Sequence, residues 1–451
     1  MKRRLRPGIG WLVLVACSAS ACASAPERAT REGVQSLARE IETTAAGEGR
    51  EDDVLERYVA MAAARSPEVR AALERYRAAV HRIAPSRRLP DPMLELGLYV
   101  WNSDEGGAVT PAKLGLRQEF PWPTGPRAEA EAAIAEAMVQ RRLVEALLLD
   151  VRAQIAEELY RLWLLERLRA IQAEQLEVLR GLSESTLGGL AAGTATLADR
   201  QQVELALARL EDTVAGLEVR AQMAEARLRA LVSAAPDEAL PRVSSLPSPA
   251  LPGEDEEALR AAAKAHPYLA SFEAGAEAAD RAAKSRRAAR LPGFSLGVEW
   301  MKMPGHMDTS AISPHVGLRL PIFQRSLAEG VRAAEAEASA RRAEGEAATR
   351  RAEAELTEAL LSLRDSLRRV TLHEDVLLPQ AEAAYESVLG AYRASRASVA
   401  ASLLSQRELL EIRMALEEAR AEHAIAWRRL ERVVGRAVTK APVDRGARDD
   451  R

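Results

Sequence analysis

Four short runs in this chain alternate apolar and polar residues with a period of two, while the long stretches between them repeat apolar positions three or four apart. In Met93 to Trp101, Leu94, Leu96, Leu98 and Val100 share one face and Glu95, Gly97 and Tyr99 the other, the pattern of a β-strand. The run Ala112 to Trp122 sets Leu114, Leu116 and Phe120 against Gly115, Arg117 and Glu119. Phe294 to Met303 sets Phe294, Leu296, Val298 and Trp300 against Ser295, Gly297 and Glu299. Pro314 to Phe323 sets Val316, Leu318, Leu320 and Ile322 against Gly317 and Arg319. Each predicted strand thus has one apolar face and one face of charge and glycine.

The runs come in two pairs, and the pairs are copies. Leu89-Pro90 to Gly115-Leu116-Arg117 recurs as Leu291-Pro292 to Gly317-Leu318-Arg319, a displacement of 202 positions at both ends (89 to 291, 115 to 317). Such a repeat marks an internal duplication. After the first pair, Arg127 to about Arg180 holds no proline and places Leu143, Leu147, Val151, Ile155, Leu159 and Leu162 on a helical stripe. Gly181, Gly188, Gly189 and Gly193 predict a break. A second helix from about Thr196 to Ser233 should fold back on the first as a coiled-coil hairpin.

The second half repeats the order: a helix near Glu254 to Ala289, the strand pair, a long helix from about Leu327 to Leu378, a tip between Pro379 and Ser398, and a return to about Val434. The predicted class is mainly α with a small β part. Its divisions are a first repeat over 54–235 (strand pair 93–122, hairpin 127–233), a Pro/Ser-rich link over 236–253, and a second repeat over 254–435 (strand pair 294–323, hairpin 327–434). The polar, small-residue stretches 17–53 and 436–451 read as loosely held tails.

A soluble sheet with one wet face would give the strand alternation. So would barrel strands of about ten residues whose interfacial aromatics are Trp101, Trp122 and Trp300. Four strands cannot close a barrel, for which about eight is the usual minimum, and open edges in lipid leave backbone groups unpaired. Membrane-spanning strands would therefore require the chain to oligomerise.

The N-terminus favours export. Lys2, Arg3, Arg4 and Arg6 precede an apolar segment from Ile9 to Ala16, so 1–16 reads as a secretory signal too short to be a spanning helix. Leu14-Val15-Ala16-Cys17 resembles the bacterial lipoprotein box, with Ala19-Ser20-Ala21-Cys22 as the alternative. Neither cysteine is followed by Asp, the inner-membrane retention mark of the enteric lipoprotein system, so outer-membrane delivery is expected. Cys17 and Cys22 are the only cysteines, which leaves no downstream disulfide or thiolate metal site.

Composition then narrows the class. Aromatics are 4% and charged residues 29%, as in long solvated helices, and a net charge of −3 points to no nucleic-acid partner. No phosphate loop, His-Glu-x-x-His or Gly-x-Ser-x-Gly occurs, so neither an enzyme nor a cofactor is expected, and energy would have to come from a partner.

Several motifs together resemble the TolC-like outer-membrane efflux proteins, and within them the heavy-metal (CusC/CzcC-like) branch. They are Ser66-Pro67-Glu68-Val69 with its repeat His266-Pro267-Tyr268-Leu269, Leu89-Pro90-Asp91-Pro92, Gln118-Glu119-Phe120-Pro121-Trp122, Val203-Glu204-Leu205-Ala206, Tyr392, Gln406, and Arg429-Leu430 to Val434-Gly435. The resemblance covers about Val54 to Gly435. It implies a homotrimer whose four strands per protomer build a twelve-stranded barrel in outer-membrane lipid. An α-barrel would extend into the periplasm and dock on a membrane-fusion adaptor and an inner-membrane pump, of RND type. The implied function is passive export of heavy-metal cations. Export of drugs or other small molecules is the alternative, and a lipid-anchored periplasmic coiled-coil adaptor or scaffold without a pore is the rival class.

Candidate site residues follow from these readings. Glu95, Arg117, Glu119, Glu299 and Arg319 would face the barrel lumen. At the tips, Gly193 and Asp199 match the family's turn, and with Tyr392, Arg393, Ser395 and Arg396 they are candidate tip and adaptor contacts, with Ser395 in place of the second glycine. Ala401 and Leu404 stand where drug exporters carry an acidic ring, which argues against a cation-attracting gate of that type. Met301, Met303, His306, Met307 and His315 lie in and around one loop, where thioether and imidazole would suit a soft ion. Their loose spacing makes them weak metal candidates. His373 and His423 read as packing residues.

Overall fold

The computed structural model describes residues 25–45, 54–98, 101–102, 108–109, 112–193, 195–303, 309–394 and 396–441. The signal segment, Cys17, Cys22, His306, Met307 and Ser395 lie outside the described residues. The chain forms two compact units. The first comprises the described parts of Met1–Ala38, Ala71–Val144 and Tyr268–Ala348, and the second those of Arg39–Arg70, Glu145–Pro267 and Thr349–Arg451.

The first unit holds one sheet of four antiparallel strands, β1 (Met93–Leu98), β2 (Ala112–Phe120), β3 (Gly293–Met303) and β4 (Thr309–Arg319), neighbours in that order. The two copies of the repeat are therefore zipped edge to edge, β2 against β3, with Phe120 stacked on Phe294 at 5.1 Å between ring centroids. β4 runs earlier than the predicted Pro314 to Phe323. It starts at Thr309 and includes Pro314, which an edge strand tolerates, and it ends before Pro321, which has no N–H to offer a ladder.

Helix α1 (Ala25–Ala45) replaces the loose tail expected between residues 17 and 53. Glu27 is buried between Arg31 (2.7 Å) and Arg87 (3.0 Å), and the Tyr76 hydroxyl donates to the Thr30 carbonyl at 3.3 Å. The inward stripe of α1 includes polar Glu27 and Thr30 beside Leu37 and Ile41. An apolar periodicity that thin does not stand out in the sequence.

The remaining helices are α2 (Val54–Arg65), α3 (Pro67–His81), α4 (Thr124–Ala191), α5 (Leu197–Val232), α6 (Glu256–Lys264), α7 (Pro267–Ala288), α8 (Gln324–Leu372), α9 (Leu378–Arg393) and α10 (Val399–Val434). No described helix is long and apolar enough to cross a membrane. Contrary to the predicted break, α4 runs through Gly181, Gly188 and Gly189 for 68 residues. An interior glycine costs a helix only ~1 kcal/mol, and buried Leu179 and Thr186 hold this stretch in place. The chain turns instead at Gly193, whose φ is +73°. In the second hairpin the turn falls at the far end of the predicted window, between α9 and α10. Pro379 opens α9 after a π-helical turn, His373–Leu377, the widening that accommodates its missing N–H.

Helix caps keep the 202-residue displacement. Thr196 and Ser398 are the N-caps of α5 and α10, and Ser233 and Gly435 end the same two helices with left-handed backbones, φ 53° and 78°. Only the second copy has the residue that adopts this geometry without penalty. Ser233→Gly is expected to raise stability by roughly 0.5–1 kcal/mol, seen as a higher midpoint in thermal unfolding.

The core of the second unit joins Ala250 of the link, Leu259 of α6, Leu356, Leu360 and Leu363 of α8, and Trp427, Leu430 and Val434 of α10. It also takes in Val438, so residues 436–441 are not the tail expected from sequence. Arg436 (3.0 Å) and Thr439 (2.9 Å) bind the Glu254 carboxylate and hold its pKa down to about 2, and Lys440–Ala441 pairs with Leu251–Pro252. Within this core His423 accepts the Ala250 N–H at Nε2 (3.1 Å), which leaves its proton on Nδ1, 3.0 Å from Ser366 Oγ. Burial holds its pKa below the ordinary 6.5, and the same cause lowers that of His266. The unfolded chain then takes up protons near pH 6.5 that the native chain refuses, so stability is full above that pH and is lost as pH falls through the depressed native values. Unfolding midpoints measured between pH 7.5 and 5 should fall with acid, and His423→Gln should flatten that slope.

Candidate functional site

The sheet carries the most informative surface of the first unit. In a soluble sheet the apolar face is the covered one; here it is the bare one. Leu96 is 78% exposed and Val316 81%, while the Glu299 side chain on the opposite face is 11% exposed. Register sets the apolar residues in rows across the strands: Leu94, Leu116, Val298 and Pro314 form one, and Leu96, Leu114, Trp300 and Ile312 the next. Beyond the strand ends Trp122, Ile322 and Phe323 are exposed as well. Among the described residues the outer edges of β1 and β4 have no strand partner.

All five residues expected on the polar face lie there. Arg117 meets Glu95 at 3.2 Å across β1 and β2, and Arg319 pairs with Glu119. Glu299 lies between Lys113 of β2 and His315 of β4, the latter at 3.1 Å. Lys113 was overlooked as a site residue although its odd-numbered place in the alternation marks it. His315 belongs to β4 and not to the loop, and Met301 and Met303 are strand residues of β3. Among the described residues no group of three or more His, Cys, Asp or Glu side chains is placed to hold a metal ion.

The turn residues divide by role. Asp199 forms a capping box: its carboxylate accepts the Thr196 N–H (3.0 Å) and hydroxyl (2.6 Å), and its own N–H donates to Thr196 Oγ1 (3.1 Å). These bonds lower its pKa. The residue read as an adaptor contact thus starts α5. Asp199→Ala is expected to loosen the first turn of α5, visible as faster amide hydrogen exchange there. At the second turn Arg393 and Arg396 are exposed and Tyr392 is half-buried. Ala401 is exposed and its N–H caps to Ser398 Oγ at 3.2 Å; Leu404 is 68% exposed.

Among the described residues the fold consists of a sheet with a bare apolar face and two unpaired edges, together with two long helical hairpins. Solved structures share it. The chain is similar to the outer-membrane channel OprN (TM-score 0.73, 20% identity, 85% of this chain and 90% of that one) and to CusC, whose structures concern conformational changes accompanying folding and transmembrane channel formation (0.75, 15%, 86% and 93%). It is also similar to the outer membrane protein VceC of Vibrio cholerae (0.72, 20%, 85% and 96%). In sequence, residues 258–436, nearly all of the second repeat, match the outer membrane efflux protein family. No curated protein matches the chain in sequence.

Proposed function

We propose that the chain is one protomer of a passive outer-membrane export channel in a tripartite efflux system. The observation that carries this reading is the inverted sheet, whose apolar rows are bare and whose two edges have no partner among the described residues. Lipid covers such a face, and β4 of one copy meeting β1 of the next supplies the missing backbone partners. Three copies, the number implied by the family resemblance, give twelve strands. Acyl chains on Cys17 or Cys22 add an anchor. The hairpins extend into the periplasm toward an adaptor, with Arg393 and Arg396 among the contacts, and an RND-type pump supplies the energy. The cargo is heavy-metal cations, a reading supported by the branch the motifs resemble. A passive conduit leaves most of that choice to its pump.

Three measurements test it. Full-length protein should run as a detergent-resistant oligomer and conduct in planar bilayers. A Cys17→Ser/Cys22→Ser protein that stays monomeric, soluble and without conductance would establish the periplasmic scaffold instead. Metal sensitivity of a deletion strain, relieved by the gene and unmatched by drug sensitivity, tests the cargo.

A further inference from the structure

The charges on the polar face of the sheet change sign from one register row to the next, and each acid is paired with a base of an adjacent row. By register, Met93, Arg117, Gly297 and His315 form one row, and Glu95, Gly115, Glu299 and Ser313 the next. Each acid finds its base on another strand: Glu95 with Arg117, Glu299 with Lys113, and Glu119 with Arg319. The last pair reaches across β3, where the facing residues are small. A Cβ on Gly317 would come 2.5 Å from Ser295 Oγ, so Gly317 must lack a side chain for the small Ser295 to lie between the two strands at this level. Among the described strand positions on this face there are three carboxylates and three Lys or Arg side chains, so their formal charges cancel, histidine being counted as neutral.

We infer that this face is a charge-compensated pore lining, so that the barrel outlet admits solutes of either sign and does not itself select cations. The inference rests on the proposed channel reading, in which the polar face lines the pore. An ion in the pore meets each pair as a dipole, whose field decays faster than that of a charge and is screened within ~8 Å at physiological salt. A single unpaired charge, repeated in every protomer, would instead form a ring, the arrangement by which pores select ions. Selection of metal ions over other cargo then belongs to the partners upstream of the sheet.

The test is reversal potential in a KCl gradient across planar bilayers, with full-length wild type, Glu119→Gln, Arg319→Gln and the double variant. Glu119→Gln leaves Arg319 unmatched and should shift the K⁺/Cl⁻ permeability ratio toward anions by about twofold. Arg319→Gln should shift it as far toward cations. The double variant should return to the wild-type value, and both single shifts should shrink at high salt. Conducting single variants that leave the ratio unchanged, or a double variant that does not return, would overturn the inference while sparing the channel reading. A wild type that does not conduct overturns that reading and the inference with it. Should the first pair impair insertion, Glu95→Gln and Arg117→Gln put the same question at the second.

Discussion

Arginine at Val298 is expected to prevent the protein from assembling in a membrane, whereas arginine at Ser313 should be tolerated. Both positions are solvent-exposed in the isolated chain, Val298 at 53%. On a soluble sheet both substitutions would lie within about 0.5 kcal/mol of neutral. In lipid the faces part company. Val298 lies on the apolar face of the central strand β3, in the row with Leu94, Leu116 and Pro314. A lipid-facing arginine near the bilayer midplane costs roughly 2–4 kcal/mol, and a homo-oligomer incurs it in every copy. Ser313 faces the other way, beside Glu299, where an added guanidinium finds water and a carboxylate. The readout is the heat-modifiable oligomer recovered from the outer-membrane fraction, with refolding into vesicles titrated by urea as the quantitative form. Equal recovery of the two variants would return the sheet to water and remove the main support for a barrel.

That contrast was half legible in the sequence. Alternation alone assigned Glu95, Arg117, Glu119, Glu299 and Arg319 to one face, because side-chain direction in a strand depends only on parity. Which acid meets which base was not legible. Two of the three pairs, Glu299 with Lys113 and Glu119 with Arg319, depend on register between β2 and β3, strands separated by the whole first hairpin, and a one-residue slip there would have changed both. The duplication was read correctly, and the caps at Thr196, Ser398, Ser233 and Gly435 extend it to the ends of the hairpins. Local signals misled where packing outweighs propensity. Gly181, Gly188 and Gly189 suggested a break, yet α4 continues past them because its inward stripe stays buried. Thr196 and Asp199 have capping-box spacing, so the structural role of Asp199 could have been seen before any contact was assigned to it. Helix α1 and the segment after Gly435 were missed because polar anchors, Glu27 in one and Arg436 with Thr439 in the other, fasten them. Hydrophobic periodicity does not report such anchors.

Helix α10 separates stability from transport within a single element. Leu430 is fully buried where the link, α6, α8 and the segment after Gly435 meet, packed in the core with Leu363, Trp427 and Val438. Leu430→Ala removes apolar contact and leaves a cavity whose walls come from four stretches of chain, a combination that typically costs 2–5 kcal/mol. The expected result is a large drop in the thermal unfolding midpoint and early hydrogen exchange at the end of α10 and at residues 250–263. Leu404, on the same helix but 68% exposed, buries nothing comparable in the isolated chain. Leu404→Ala should leave the midpoint within about 0.5 kcal/mol of wild type. It stands near the turn where drug exporters place an acidic ring, so any effect it has should appear in conductance or in adaptor binding. If Leu404→Ala also melts early, the side chain is buried in the assembled oligomer and works as packing. If Leu430→Ala keeps full stability, the second unit draws its stability from contacts between copies and not from this core.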